Sequence, residues 1–157
     1  MLAAEQLYRA GGIKIAEILV ENRRISARRT LHAKTGRLRV IVDDEAPARR
    51  LLRRFLVEYP DVVVVGEAAD GASAITLIRE TSPDAVFLDI RLPEGDGFTV
   101  TDTLGQALPR IVFVTAYDQY AIRAFEAEAL DYILKPLDPR RLRLAVERLR
   151  QRREFEG

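Results

Sequence analysis

The chain has 157 residues and a mass of 17.7 kDa, enough for one domain with an extension but short for two domains with separate cores. With 48% hydrophobic and 31% charged residues, no apolar run approaching the ~20 residues that span a bilayer, no cysteine and a single histidine, His32, it reads as a globular chain without a membrane span. Disulfides, thiolate metal sites, histidine zinc sites and histidine-based catalytic triads are excluded. The net charge of +1 hides an asymmetry: residues 1–39 carry nine basic and three acidic side chains, 40–136 nine and seventeen, and 137–157 seven and four. An acidic body lies between two basic ends, which bears on partners even though the total does not.

Residues 2–9 read as a helix that Gly11-Gly12 breaks, and 13–20 suit either helix or strand, with Ile15, Ile18 and Leu19 as a possible stripe. Glu5, the glycine pair and the lack of an apolar stretch ending in small residues argue against a secretory signal, so the expected location is the cytoplasm. Arg23, Arg24, Arg28, Arg29, Lys34, Arg37 and Arg39 form a basic connector. It reads either as a docking or nucleic-acid contact, or as a solvated linker or a start placed too far upstream. The absence of interleaved aromatics favours the second.

From Leu38 on, short apolar runs alternate with amphipathic stretches. Leu38-Arg39-Val40-Ile41-Val42 is a β-branched strand ending at Asp43-Asp44. Pro47 suits the first turn of a helix with Ala48, Leu51, Leu52, Phe55, Leu56 and Tyr59 on one face and Arg49, Arg50, Arg53 and Arg54 on the other, stopped by Pro60. A second strand follows over 62–65. Asp70-Gly71 opens a second helix with Ala74, Ile75 and Ile78 inward, and Ser82-Pro83 closes it. Ala85-Val86-Phe87-Leu88 is a third strand ending in Asp89, followed by a loop over 92–97 rich in turn residues. A helix is expected over 98–108, although Thr99, Thr101 and Thr103 are poor helix formers that packing must hold. A fourth strand over 111–114 ends at Thr115. Ala121, Ile122, Phe125 and Ala129 mark a fourth helix, and Tyr132-Ile133-Leu134 a fifth strand before Lys135-Pro136. Asp138 caps a fifth helix with Pro139 in its first turn and Leu142, Ala145, Val146 and Leu149 on one face. Arg148, Arg150, Arg152 and Arg153 suit its last turns, where cations complement the dipole.

Five uniformly apolar strands alternating with five helices predict an α/β fold: a doubly wound parallel sheet covered on both faces. Ligands of such sheets bind outside the C-terminal ends of the strands. Those ends carry Asp43 and Asp44, Asp89, Thr115 and Lys135. Each alone has a plain reading: Asp43 or Asp44 as a cap of the first helix, Thr115 as a cap of the fourth, Lys135 as a surface cation. Together they point to a joint site, because crowded carboxylates call for a hard divalent cation such as Mg²⁺, and a metal beside an ammonium and a hydroxyl suits phosphate oxygens.

At this point Ile41-Val42-Asp43-Asp44-Glu45, Phe87-Leu88-Asp89-Ile90-Arg91-Leu92-Pro93, Val114-Thr115-Ala116 and Tyr132-Ile133-Leu134-Lys135-Pro136 resemble the motifs of the receiver domain of two-component response regulators. The segment 117–136 looks most like receivers of the LytR/AlgR (LytTR) type, which usually precede a DNA-binding output domain. The resemblance implies a flavodoxin-like sheet in the order 2-1-3-4-5, with a receiver over 37–153 between an extension over 1–36 and a tail over 154–157. It implies that Asp89 is the phosphorylated nucleophile, and that Asp43, Asp44, Asp89 and the Arg91 backbone carbonyl hold Mg²⁺, directly or through water. Lys135 would pair with the phosphoryl oxygens, Thr115 would bond the group after transfer, and Tyr132 would be the aromatic whose burial reports that movement. Small Ala116 would leave the site accessible, and Pro136 would follow a cis peptide.

The implied partners are a sensor histidine kinase or phosphotransfer protein and, on phosphorylation, a second copy of the chain. DNA would be reached only through an output domain outside this sequence, and the face formed by the fourth helix, fifth strand and fifth helix would relay the state. A second reading is a stand-alone or pseudo-receiver interaction module. A third is a haloacid-dehalogenase-like phosphatase, which Glu45 fits poorly, since that family has a second aspartate two positions after its nucleophile.

Overall fold

The computed structural model describes residues 38–156, and side chains over 40–151. The expectations for 1–36 fall outside the described residues. Within them the elements are β1 (Leu38–Val42), α1 (Ala46–Leu56), β2 (Val63–Ala68), α2 (Gly71–Thr81), β3 (Ala85–Leu88), the short β4 (Arg91–Leu92) and β5 (Gly95–Asp96), α3 (Gly97–Leu104), β6 (Arg110–Thr115), α4 (Ala121–Glu126), β7 (Asp131–Leu134) and α5 (Pro139–Glu156). The five long strands form one parallel sheet in the order β2-β1-β3-β6-β7, which is the predicted 2-1-3-4-5 order.

Apolar side chains on both faces of each strand divide the core in two. One face buries Val40, Val42, Val86, Leu88 and Phe113 against α2, α3 and Ala124 of α4. The other buries Ile41, Phe87, Val112 and Ile133 against Leu52 and Leu56 of α1 and Leu142, Ala145, Val146 and Leu149 of α5. This period-two division within continuously apolar strands is what a sheet covered on both sides requires. Two helices start where an aspartate satisfies free amides: Asp70 accepts from the Ser73 N–H at 2.8 Å and Asp96 from the Thr99 N–H at 2.9 Å. At α5, Asp138 accepts from the Arg140 N–H at 2.8 Å.

Several elements differ from the sequence expectation for identifiable reasons. β2 runs on to Ala68, and Glu67 on it pairs with Arg49 at 3.3 Å and Arg53 at 2.6 Å, so half of the arginine face of α1 lies on the sheet edge rather than in solvent. α3 exists despite its threonines, whose hydroxyls donate to backbone carbonyls, Thr101 to Phe98 at 2.9 Å and Thr103 to Thr99 at 2.8 Å. It ends at Leu104, where Gly105 takes a positive φ of 53° and a single 3₁₀ turn follows. The turn-rich loop contains the small β4–β5 hairpin, with Glu94 at φ 56°.

α4 departs most. It has only six residues, and Ile122 and Phe125, which mark its apolar spacing, are 75% and 68% exposed while Ala124 is buried. α5 continues through Glu156, so Arg148 and Arg150 lie inside it and pair with Asp131 at 2.9 Å and Asp61 at 2.5 Å instead of serving its last turn.

Candidate functional site

β1 and β3 are adjacent, with Val42 opposite Leu88, so the residues that follow them emerge side by side at one end of the sheet. Backbone bonds continue one residue past the strands: the Asp43 N–H donates to Ala68 at 3.0 Å and the Asp89 N–H to Val42 at 2.9 Å. Both carboxylates are thereby placed by the sheet itself, and each residue is only 5% exposed. Lys135 arrives from β7 across β6, its own N–H bonded to the Thr115 carbonyl at 2.8 Å. Its ammonium lies 2.8 Å from Asp43 Oδ2 and 2.9 Å from Asp89 Oδ2. It is therefore a bridge between the two acids rather than a surface cation, with Glu45 Oε1 further out at 3.9 Å.

The second oxygen of Asp43 accepts the Glu45 N–H at 2.9 Å, and Arg49 donates to the Asp43 carbonyl at 2.7 Å. The residue capping α1 is Glu45, with no side-chain cap bond, so neither Asp43 nor Asp44 serves as that cap. Asp44 is exposed, yet one oxygen each of Asp43, Asp44 and Asp89 can be chosen so that all lie within 4.8 Å of one another. Thr115 does not cap α4, whose capping residue is Tyr120. It is fully buried, and its hydroxyl has no hydrogen-bond partner. A buried hydroxyl without a partner, on the residue whose carbonyl holds the Lys135 amide, is the kind of unmet donor that a ligand oxygen satisfies. Ala116, next in the chain, is exposed.

The charges strain one another. Removal from water is the largest influence on Asp43 and raises its pKa; the bonds from Lys135 and Glu45 oppose this without reversing it. For Lys135, burial pulls the pKa down, but hydrogen bonds to Asp43 and Asp89 together outweigh it, and the net direction is up. Tyr132, half-buried on β7, has its pKa raised by burial, and its hydroxyl donates to the Tyr117 carbonyl. The Lys135–Pro136 peptide is cis. The Arg91 backbone nitrogen lies 3.4 Å from Asp89 Oδ1, a long contact from the residue whose carbonyl the family resemblance implies as a metal ligand.

Three parts of the site are not singled out by sequence reasoning. Gly97 packs behind the acidic pair: a Cβ there would lie 2.7 Å from the Asp89 carbonyl oxygen and 3.2 Å from Phe113. Its signal was a glycine opening a helix directly after a turn, which sequence reading absorbs into the turn. Arg49 reaches the Asp43 backbone, which helical spacing alone does not indicate. Arg91 extends its side chain to Tyr117 and Tyr120, 26 and 29 residues on, and no local pattern announces such a contact.

The donor set suits a hard cation. Two buried carboxylates and a third that is exposed offer the oxygen donors that Mg²⁺ prefers. Among the described residues, no helix is long and apolar enough to cross a membrane.

A parallel 2-1-3-4-5 sheet with acids after its first and third strands and a lysine after its fifth defines the class. Residues 40–147 match the response regulator receiver domain family, and the chain belongs to it. Over 111 residues, 70% of this chain and 47% of the relative, it is 50% identical to an uncharacterized response regulatory protein of Yersinia pestis. Over 115 residues, 73% of this chain and 48% of the relative, it is 46% identical to the transcriptional regulatory protein BtsR of Escherichia coli K12. The chain thus spans about half the length of the curated relatives it matches. The crystal structure of the response regulatory domain of mrkE from Klebsiella pneumoniae superposes with a TM-score of 0.70 at 33% identity, covering 75% of this chain and 98% of that one. Receiver domains are signalling modules of two-component systems, generally not enzymes, and this membership sets aside the phosphatase reading.

Proposed function

We propose that this chain is the phosphorylation-switched receiver of a transcriptional response regulator, taking a phosphoryl group from a sensor histidine kinase or phosphotransfer protein onto Asp89. The observation that carries the reading is the Asp43–Lys135–Asp89 bridge, together with the buried, unpartnered hydroxyl of Thr115, the residue whose carbonyl holds the Lys135 amide. An Asp89 carboxylate oxygen forms the new bond to phosphorus as the donor's N–P bond breaks; the nitrogen keeps that electron pair and takes a proton from solvent. Asp43, Asp44, Asp89 and the Arg91 carbonyl would hold Mg²⁺, directly or through water, which would supply neutralisation of phosphoryl charge.

Lys135 turns from bridging the acids to pairing with phosphoryl oxygens, and Thr115 donates its free hydroxyl to the same group. Exposed Ala116 leaves the approach open, and Tyr132, tied to the Tyr117 carbonyl, follows any movement of Thr115. The α4–β7–α5 face passes the state on by pairing with a second copy, and DNA is reached through a LytTR-type output domain beyond this chain, in the cytoplasm. Support for a transcriptional output is the likeness to BtsR.

The test is incubation with acetyl phosphate and Mg²⁺ followed by intact mass measurement. The wild-type chain gains one phosphoryl group and Asp89→Asn gains none. Uptake by Asp89→Asn equal to wild type overturns the assignment.

A further inference from the structure

Arg91 sits two residues beyond Asp89 and is exposed, yet its guanidinium is engaged on three sides. It lies 4.7 Å from the centroid of the Tyr117 ring and 5.9 Å from that of Tyr120, and its Nη2 donates to the Tyr120 hydroxyl at 3.1 Å. The two tyrosine rings contact each other edge-on at 6.3 Å, and Tyr120 reaches into the core against Phe98 at 6.3 Å. Both tyrosines lie in residues 116–120, the connection between β6 and α4, which begins at the end of the strand that carries Thr115. On its other side the same connection is held by the bond from the Tyr132 hydroxyl to the Tyr117 carbonyl.

Tyr117 is therefore fixed twice, through its ring and through its backbone, two residues from a threonine whose buried hydroxyl is unsatisfied. A backbone shift that carries Thr115 toward an oxygen near Asp89 carries the Tyr117 backbone, two residues on, with it. That displacement works against the stacking on Arg91.

We propose that the Arg91 side chain is a positioning group, a clasp that ties the phosphoacceptor loop to the β6–α4 connection and holds it in the arrangement that leaves Thr115 unpartnered. The clasp opposes occupation of the site: a phosphoryl group or its mimic must open it. This rests on the reading of Asp89 as the phosphoacceptor. Cation–π contact at an exposed site and one hydrogen bond are each modest, so the clasp biases the equilibrium without locking it.

The experiment titrates the full chain with beryllium fluoride in saturating Mg²⁺, following tyrosine fluorescence, since the chain has five tyrosines and no tryptophan. Arg91→Lys keeps the charge near the anion but removes the planar stack and the forked donor. Tyr120→Phe keeps the ring against Phe98 and removes only the hydroxyl. Arg91→Lys is expected to tighten beryllofluoride binding about two- to fivefold and Tyr120→Phe by less, with the double variant no tighter than Arg91→Lys because both changes undo one interaction.

Unchanged or weaker binding in Arg91→Lys overturns the proposal. So does a lowered thermal midpoint with an unchanged beryllofluoride midpoint, which marks a merely structural contact. A wild-type chain that does not respond to beryllofluoride takes down the phosphoacceptor reading as well, whereas a wild-type response with indifferent variants removes the clasp alone.

Discussion

Asp43 is the side chain on which the fold and the site make opposite demands. The sheet places it away from water, where its charged form is disfavoured, and only Lys135 and one backbone amide compensate. A carboxyl whose pKa is raised by folding contributes stability that is fully present below its ordinary value of 3.8 and lost as pH rises through the folded value. Without a divalent cation, the Asp43 contribution to stability therefore declines as pH rises from 3.8 through its raised pKa. Asp43→Asn removes that penalty, so the metal-free variant is expected to be more stable at neutral pH by on the order of 1 kcal/mol in urea denaturation. It is also expected to show less stabilisation by Mg²⁺ than the wild type. Lys135 has its pKa raised on balance, so its contribution is complete below 10.5 and fades only as pH climbs through the folded value.

Among the elements, α3 and α4 are held by opposite means. α3 has no acidic side chain in its first turn, no basic one in its last and a threonine at every second position from 99 to 103, but Asp96 bonds its free Thr99 amide and Phe98, Val100 and Leu104 are buried. Phe98 packs against Phe113 with tilted rings, their centroids 5.1 Å apart. Removing the cap with Asp96→Ala is expected to cost about 0.5–2 kcal/mol of unfolding free energy, measured by denaturant melts. α4 has neither a side-chain cap nor more than one buried residue, so propensity and packing contribute little to it. Its placement depends on Ala124 and on the connection that Arg91, Tyr117 and Tyr132 hold, which makes it the helix most easily moved when the strand ends change.

For the whole molecule, the two cores and the continuous sheet keep the strand ends at fixed separations while leaving one side face of the domain apolar and uncovered. Ile122 and Phe125 of α4 and Leu134 at the end of β7 are 75%, 68% and 47% exposed, whereas strand residues one layer deeper are closed to water. Exposed side chains of this kind contribute little to folding but give a partner a place to bury area. The paired substitution Ile122→Ser with Phe125→Ser is therefore expected to leave unfolding free energy within about 0.5 kcal/mol of wild type. If beryllofluoride induces the dimer proposed above, the same variant is expected to lose it, as read by size exclusion with light scattering. A dimer of undiminished stability in this variant excludes that face as the contact.

Apolar runs of three to five residues, four of the five ended by a carboxylate, hydroxyl or lysine, specify strand positions locally, and uniform apolarity demands helices on both faces. Strand order and the convergence of Asp43, Asp89 and Lys135 are thus legible in the amino-acid sequence together with the family motifs it contains. Tertiary structure alone decided the rest. Lys135 bridges two acids because β7 lies two places from β3 in the sheet, and Thr115, whose buried hydroxyl is unpartnered, meets Leu134 and Lys135 only through the pairing of β6 with β7. Gly97 has no room for a Cβ because the backbone of Asp89 occupies it, and Arg91 finds two tyrosines in a distant connection. The apolar spacing of α4 points outward for the same reason: periodicity along a chain reports which residues share a face, while the packing of the whole domain determines whether that face meets the core or the solvent.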